Sequence, residues 1–447
     1  MSRPVAPESD KSMQLRARHV IPAGCHTYSK GDDQFPSNAP AFIESASGCM
    51  ARSSDGRDFL DWGMGLRSVI LGHAYPRVVA AVEAELRRGS NFTRPSPLET
   101  LLAERLVELM PCGEMVKLAK NGSDVTTAAV RLARAATGRD LIVFPAEHPF
   151  YSFDDWFIGT TPLDAGVPEA TKRLSLTFPY GDLPALDELL ARHEGKVAAV
   201  IMEAATTQPP PDGYLEGVRE LASRADAVLI FDEMITGFRW HLRGAQTFYG
   251  VEPDLATFGK ALGNGFSVAA LVGKRELMKL GDLSDERSRV FLLSATHGGE
   301  THAIAAALST LAELEERGVS EHVWRIGARL QEGLRQAAAD AGMTEVVSCI
   351  GYPCSPVLAF DSGVSQLRDA ELRTLFMQGL VDAGVLMPYI APSFSHTDAD
   401  VDRTVEAAAA ALKPVRAVLD GAPIEQHLVG PPVKPVFDRF NLVDVDA

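Results

Sequence analysis

One lysine stands in a stretch of small residues and glycines, DLATFGKALGNGF, which runs from Asp254 to Phe266. Lys260 has no acidic residue closer in this stretch than Asp254. A lysine amine attacks carbonyl carbons when its surroundings lower its pKa and leave room around the nitrogen. Lys260 is therefore a candidate nucleophile that needs chemical partners, because most lysines are solvated surface residues.

A run of apolar residues, AVLIFDE, ends in Asp232 and Glu233 and precedes Lys260 by 28 residues. A carboxylate at the end of a buried strand is costly unless a cation meets it. The cation could be the metal of a nucleotide-hydrolysing enzyme, since the Walker B segment has the same pattern, or a protonated pyridine nitrogen. The phosphate-binding pattern G-x-x-x-x-G-K-[ST] is absent, which disfavours the nucleotide alternative without closing it.

A third motif, AKNGSDVTTAAVRLAR, breaks a strand at Asn121, Gly122 and Ser123 and then has helical periodicity. Backbone N–H groups, the helix dipole and a serine hydroxyl converge at such a helix start and favour an anion, although Ser123 could simply cap the helix. A lysine, a buried aspartate and a phosphate site together are most simply explained by pyridoxal phosphate.

These motifs lie in a region where short apolar runs alternate with helical stretches, from about residue 114 to residue 273. This alternation predicts an α/β fold with a mainly parallel sheet flanked by helices, whose ligands bind at the carboxyl edge of the strands. The predicted strands are MVKLAK, LIVFPA, LSLTFP, VAAVIMEA, AVLIFDE and VAALVG. The predicted helices are 76–89, 98–110, 124–137, 183–193, 214–223, a long stretch near 301–341 and a last helix near 398–420.

The whole chain has 447 residues, 46% of them hydrophobic, and a formal net charge of −16. The length predicts more than one structural unit, and the acidic charge argues against nucleic-acid binding. Without a signal sequence or a long apolar span we expect no membrane insertion, and the five scattered cysteines are typical of a cytoplasmic protein. The histidine spacing predicts no metal site, so the expected ligands are small molecules.

Nearly the whole chain resembles the class III pyridoxal-phosphate aminotransferases, most closely glutamate-1-semialdehyde 2,1-aminomutase and its transaminase relatives. The resemblance is carried by GRDFLDWGMGLRSVILGHAYPRVVAAV, KNGSDVTTAAVRLAR, VLIFDEMITGFR, PDLATFGKALGNG and SATHGGETHAIAAALSTL. It implies fold type I, pyridoxal phosphate and a homodimer with shared active sites. We expect a large cofactor domain over residues 66–320 and a smaller α+β domain over 321–447, against which residues 1–65 pack.

The resemblance also implies roles for single residues. Lys260 corresponds to the lysine that forms the Schiff base, and Asp232 to the partner of the pyridine nitrogen. Asn121, Gly122 and Ser123 correspond to the phosphate cradle. Thr296, in SATHGG, corresponds to a threonine that reaches the phosphate across the dimer interface.

The chain departs from the aminomutase pattern around the cofactor. Where the family has a stacking Tyr followed by His-Gly, this chain has HPFYSF, so Phe150 is expected to stack and Tyr151 to take the histidine position. Gln208 stands where the family often has an Asn that contacts the phenolic oxygen of the cofactor. Glu203, from the family's Glu-Pro pair, is followed here by alanine, and it is grouped with the substrate-binding candidates.

Two further departures concern the substrate. Lys30 stands where the aminomutase has an arginine that fits the substrate carboxylate, and a lysine lacks the bidentate fork of arginine. The family's Gly-Ser-Trp-Gly is replaced by MGLR, which removes an aromatic wall and adds Arg67. These changes favour transfer from an amino-acid donor to a separate carbonyl acceptor. The intramolecular aminomutase reaction and a non-catalytic binding protein of the same fold remain alternatives.

Overall fold

The computed structural model describes residues 10–148, 150–283, 289–434 and 436–437. They form two compact units. The larger unit contains residues 67–71 and 75–321, and the smaller one contains the described residues up to 66, residues 72–74 and the described residues from 322 onward.

The N-terminal part of the chain contributes one helix, three strands and a four-residue helical turn. They are α1 (Asp10–Val20), β1 (Ile43–Ser47), β2 (Met50–Ser53), β3 (Asp58–Asp61) and α2 (Met64–Arg67).

The larger unit is built on a seven-stranded sheet. Its strands are β4 (Met115–Ala119), β5 (Leu141–Pro145), β6 (Ser175–Phe178), β7 (Val197–Met202), β8 (Val228–Asp232), β9 (Leu255–Phe258) and β10 (Ala269–Gly273). Their order across the sheet is β4-β10-β9-β8-β7-β5-β6. The pairs from β9 to β6 are parallel, and β10 alone runs antiparallel to its neighbours β9 and β4.

Ten α-helices of the described residues belong to the same part of the chain. They are α3 (Pro76–Leu86), α4 (Pro97–Leu109), α5 (Gly122–Thr137), α6 (Asp155–Ile158), α7 (Glu169–Lys172), α8 (Leu183–Arg192), α9 (Tyr214–Arg224), α10 (Gly244–Tyr249), α11 (Arg275–Met278) and α12 (Thr301–Arg317). The predicted α/β fold is confirmed, and each of the six predicted strands corresponds to one strand of the sheet. The four-residue strand β9 was not predicted, because its residues were assigned to the turn around Lys260.

Two apolar clusters cover the two faces of this sheet. Ile201, Ile230 and Leu255 point to the face on which Val125 and Ala128 of α5 pack. The opposite face holds Val200, Leu229 and Phe231 together with residues of α8 and α9. Because side chains alternate along a strand, Asp232 projects to the same face as Ile230, which is the face covered by α5.

The C-terminal part of the chain completes the smaller unit. Its elements are α13 (Val319–Asp340), β11 (Val347–Ile350), β12 (Val357–Phe360), α14 (Gln366–Asp382), β13 (Val385–Leu386) and α15 (Asp398–Leu419). Strand β13 joins the N-terminal strands in a four-stranded sheet of order β1-β2-β3-β13, and β11 pairs with β12. A core that includes Trp62, Phe376 and Leu412 holds the unit together.

The helical stretch predicted near 301–341 consists of two helices. Gly318 separates α12 from α13 and has φ of +59°, a left-handed conformation that glycine adopts without steric cost. Among the helices that the structure describes, none is long and apolar enough to cross a membrane.

Candidate active site

Asp232 is the last residue of β8, a strand whose five residues are all buried. Only 2% of its surface is exposed. Its Oδ1 accepts hydrogen bonds from the Met234 backbone N–H and the Thr257 hydroxyl, both at 3.0 Å. Burial raises the pKa of Asp232 to about 6, whereas the charge of Lys260 and the two donors favour the anion. The site therefore holds a buried carboxylate whose ionisation depends on a nearby cation.

Lys260 follows β9 and Gly259 and begins a short 3-10 turn that ends at Gly263. Its φ is +42°, which is uncommon for a residue with a side chain. Asn264 stabilises this turn, because its side-chain oxygen accepts a hydrogen bond from the Leu71 N–H at 2.8 Å. Burial lowers the pKa of Lys260, while the charges of Asp232 and Glu203 act in the opposite direction. Burial thus makes the protonated form of this amine less favourable than it is in water.

Glu203 directly follows β7 and is also buried. The pairing of β7 with β8 joins Met202 to Phe231, so the next residues along both strands, Glu203 and Asp232, are neighbours at the carboxyl edge. Burial is the main cause that raises the pKa of Glu203, followed by the charge of Asp232, while Lys260 and Arg67 oppose the rise. Asp232, Glu203 and Lys260 therefore form one electrostatically linked group.

The N-terminus of α5 lies close to this group through Met234. A Cβ added to Gly122 would lie 3.0 Å from the Met234 sulfur, and one added to Gly259 would lie 2.8 Å from the same atom. Met234 thus packs closely against both glycines, and a methyl group at either position would have to displace its side chain. The start of α5 and the residue before Lys260 are held on the two sides of one methionine.

Asn121 and Asp124 form a reciprocal cap at the start of α5, in which the side chain of each accepts a hydrogen bond from the other's N–H at 3.1 Å. The Ser123 hydroxyl is buried and accepts the Phe153 N–H at 3.1 Å. Because Asn121 caps the helix, the donors suited to a phosphate are the N–H groups of Gly122 and Ser123, which head the first turn.

These groups fit pyridoxal phosphate by their chemistry. A buried carboxylate suits a protonated ring nitrogen, an amine with a lowered pKa suits an aldehyde, and a glycine at a helix start suits a phosphate. The described residues include no cluster of three or more His, Cys, Asp or Glu side chains that could hold a metal ion.

Phe150 and Tyr151 have different environments. The Phe150 ring is 45% exposed and makes an edge contact with Phe157, with ring centres 5.8 Å apart. Tyr151 is 2% exposed and belongs to the core beneath α5, and its hydroxyl lies 3.5 Å from the Ile201 carbonyl. The assignment of Tyr151 to substrate binding is therefore corrected, because the side chain is enclosed by the core.

Arg67 belongs to the same unit as Lys260, and its charge influences the pKa of both Lys260 and Glu203. It ends the turn α2, in which Met64, Gly65, Leu66 and Arg67 all have φ between +42° and +68°. Left-handed residues with side chains cost about 1 kcal/mol each, and such strain is concentrated at functional sites. The fold thus accepts a strained backbone where the sequence departs from the aminomutase pattern.

The remaining predicted residues, Lys30, Gln208 and Thr296, have exposed side chains. Lys30 is exposed and ends a 3-10 turn in the smaller unit. Gln208 is exposed, and its backbone forms a local turn with the Thr206 hydroxyl. Thr296 is exposed, and its carbonyl accepts a hydrogen bond from the Asn91 side chain at 3.1 Å. A surface cavity of about 160 Å³ is lined by residues 91–96, Glu99, Thr296 and Gly299.

Residues that the sequence analysis missed complete the group. Thr257 contacts Asp232 from β9. Arg239 is fully buried and donates to the Arg67 carbonyl at 3.4 Å. The sequence feature that could have indicated Arg239 is an arginine shortly after a buried acidic pair, in DEMITGFR.

Glu233 shapes the loop that carries Arg239. Its carboxylate accepts hydrogen bonds from the Thr236 hydroxyl, the Ala245 N–H and the backbone and side chain of Gln246, at 2.7–3.3 Å. Protein donors therefore occupy the carboxylate that the Walker B alternative assigned to a metal.

Comparison with known proteins agrees with this chemistry. The sequence model of the family Aminotransferase class-III matches residues 32–412. The glutamate-1-semialdehyde 2,1-aminomutase 2 of Brevibacillus brevis is 34% identical over 430 residues, which are 90% of this chain and 98% of that protein.

Two solved structures share the fold over nearly the full length. One is the FumI protein of Sphingopyxis sp. MTA144 in a PLP-bearing form, at 25% identity and a TM-score of 0.84, covering 94% of this chain and 99% of that one. The other is an omega-transaminase from Sphaerobacter thermophilus, at 25% identity and a TM-score of 0.83, covering 92% and 98%. The chain therefore belongs to the class III aminotransferases, which are enzymes of fold type I that depend on pyridoxal phosphate.

Proposed function

We propose that Lys260 binds pyridoxal phosphate covalently, that Asp232 holds its ring nitrogen, and that the α5 start at Gly122 and Ser123 binds its phosphate. The observation that carries this proposal is the common environment of Lys260 and Asp232. Asp232 ends β8, and Lys260 lies two residues after the adjacent parallel strand β9. Each of the two residues influences the pKa of the other. Phe150 is proposed to stack on the ring, because its side chain is half exposed.

The cofactor, Asp232 and Lys260 have different roles in the proposed reaction. When bound, the cofactor supplies an electron-poor ring that takes up the electron pair left on a substrate carbon. Asp232 retains the proton on the ring nitrogen because its carboxylate is fixed by Met234 and Thr257. Lys260, whose pKa is lowered by burial, is the proposed group that moves a proton on the substrate side.

For the reaction, we propose isomerisation of glutamate-1-semialdehyde to 5-aminolevulinate, in which the amino group changes position on one carbon skeleton. The names and coverage of the sequence relatives support this reaction. It was the alternative in the sequence analysis, and the relatives favour it over transfer to a separate acceptor. Arg67 is the proposed partner of the substrate carboxylate because it lies in the electrostatic group of Lys260.

Intermolecular transamination is the second candidate. It is favoured by the strained MGLR turn at the position of an aromatic wall and by the likeness to an omega-transaminase. In that case the donor and the acceptor would bind in succession, and Arg67 would fit a carboxylate placed differently.

A homodimer in the cytoplasm is proposed as well. The exposed Thr296 is available to a second copy of the chain, and all five cysteines are free thiols. Sedimentation of the purified protein tests the dimer. Activity recovered by mixing inactive Lys260→Ala and Thr296→Ala subunits would show that the site is shared.

Substrate assays separate the two reactions. The purified, cofactor-loaded protein is incubated with glutamate-1-semialdehyde alone, and separately with glutamate and a keto-acid acceptor. Formation of 5-aminolevulinate without release of a keto acid supports the aminomutase. Glutamate-dependent release of 2-oxoglutarate, with no conversion of the semialdehyde, would instead establish the transaminase.

A further inference from the structure

A row of three polar side chains crosses the carboxyl edge of the sheet in the larger unit. The strand pairing joins Asp232 to Thr257 directly and places Glu203 beside Asp232 as the next pair after Met202 and Phe231. Neighbouring strands are about 4.8 Å apart, and paired residues project to the same face. Two carboxyl groups are thus side by side on the face covered by α5.

The two carboxyl groups are held differently. Asp232 accepts two hydrogen bonds through one oxygen, from a backbone N–H and from the Thr257 hydroxyl, and such donors stabilise a carboxylate anion. Glu203 is fixed through its backbone instead, since its N–H donates to Nδ1 of the buried His148 at 3.3 Å. Of the two carboxyl groups, Asp232 is therefore the one whose surroundings favour the negative charge.

We propose that Glu203 is a positioning residue whose carboxyl stays protonated beside the Asp232 carboxylate. This inference rests on the proposed function of Asp232 and deepens it. Two adjacent buried carboxyls cannot both ionise cheaply, so the proton on Glu203 leaves Asp232 as the single anion that faces the ring nitrogen. Glu203 then acts on the reaction through Asp232 and does not bind the substrate carboxylate.

The charged groups around Glu203 are consistent with a neutral carboxyl. Asp232 faces it from β8, Lys260 from the turn after β9, Arg67 from the turn α2, and His148 from the segment after β5. His148 adds no charge, because its burial lowers its pKa to about 3. Burial and Asp232 raise the pKa of Glu203 more than Lys260 and Arg67 lower it.

The test compares Glu203→Gln, which mimics a protonated carboxyl, with Glu203→Ala and with Glu216→Gln, an exposed control on α9. In the cofactor-loaded full chain, Glu203→Gln should keep the neutral-pH absorption spectrum and the cofactor affinity of the parent. The parent should show a change of the spectrum at alkaline pH that Glu203→Gln lacks and Glu216→Gln retains. Glu203→Ala should bind the cofactor more weakly, because it leaves a cavity beside Asp232.

A second readout needs no cofactor. A carboxyl that stays protonated in the folded state stabilises the folded protein at low pH, and this stabilisation is lost as the pH rises through the folded pKa of the carboxyl. The parent should therefore lose stability between about pH 5 and about pH 8, and the melting temperature of Glu203→Gln should rise relative to that of the parent over the same range. A difference that is constant with pH, or a loss of cofactor affinity of about tenfold or more in Glu203→Gln at neutral pH, would overturn the inference. If the parent binds no cofactor at all, the proposed function fails while the melting temperatures still test Glu203.

Discussion

The Thr257 hydroxyl donates a hydrogen bond to Oδ1 of Asp232 over 3.0 Å, from one parallel strand to the next. Both side chains are buried, Thr257 completely and Asp232 to within 2%. A hydrogen bond to a buried charge has no competition from water, so this contact fixes the orientation of the carboxylate and favours its ionised form.

Replacement of Thr257 by valine, which has nearly the same shape, should therefore weaken the action of Asp232. A hydrogen bond to a charged group contributes about 1.5–3 kcal/mol, which corresponds to a loss of roughly 10- to 100-fold in kcat/KM. Thr257→Ser retains the hydroxyl and serves as the control. The measurement is the steady-state kinetics of both variants, with melting temperatures to confirm folding. Full activity of Thr257→Val would contradict this role of Thr257.

The packing of Met234 against two glycines predicts a coupled pair of substitutions. Gly259→Ala would place its Cβ 2.8 Å from the Met234 sulfur, and overpacking of this kind costs about 1–3 kcal/mol of stability. The double variant Gly259→Ala with Met234→Ala has room for the added methyl group. Its loss of unfolding free energy should be smaller than the sum of the two single losses, and strict additivity measured by denaturant unfolding would refute the contact.

Tyr151 should tolerate removal of its hydroxyl, because that group makes only a long contact, of 3.5 Å, with the Ile201 carbonyl. Tyr151→Phe is expected to keep kcat and KM within about twofold, whereas Tyr151→Ala should lose about 3–5 kcal/mol of stability by leaving a cavity in the core. Kinetics and denaturant unfolding of both variants are the measurements. A large rise of KM in Tyr151→Phe would restore Tyr151 to the substrate site.

His148 predicts a dependence of stability on pH. Burial lowers the pKa of His148 to about 3, below the ordinary value of 6.5. Below about pH 6.5 the unfolded chain therefore binds a proton at His148 and the folded chain does not. The contribution of His148 to the free energy of unfolding is complete above about pH 6.5 and declines by about 1.4 kcal/mol for each pH unit below it.

His148→Asn keeps an acceptor for the Glu203 N–H and removes the titrating group, so its stability should decline less between about pH 6.5 and about pH 4.5. Unfolding at a series of pH values is the measurement. His396, which is buried with a pKa lowered to about 4, keeps part of the acid sensitivity in both proteins. Parallel curves for the parent and His148→Asn would show that His148 is not the cause.

Sequence patterns were sufficient where residue type and local order determine the result. Lys260 and Asp232 were selected because a lysine in a glycine-rich turn and a carboxylate after an apolar run are each unusual, and their roles stay predictions. The start of α5 was located near Asn121–Ser123, but its cap is Asn121, whereas the sequence analysis named Ser123. The six predicted strands were found because apolar residues predominate in each of them.

The features that were missed depend on contacts between distant residues. Strand β9 runs directly into the glycine-rich stretch around Lys260, so its residues were assigned to that turn, and without it Thr257 could not be placed beside Asp232. Tyr151 was assigned from the order of the motif HPFYSF, whereas its burial follows from packing beneath α5. The burial of Arg239 results from the loop that the Glu233 carboxylate holds through four hydrogen-bond donors. No local sequence pattern predicts these four hydrogen bonds.

Borohydride reduction of the pyridoxal-phosphate-loaded protein, followed by peptide mapping, locates the lysine that carries the cofactor. We expect one stable label, on Lys260 in the peptide DLATFGKALGNGF, and no label in Lys260→Ala. Lys274 and Lys120 are internal controls, since each forms an ion pair, with Asp254 and Glu300 respectively. A label on either of these lysines, with Lys260 unmodified, would show that Lys260 does not bind the cofactor.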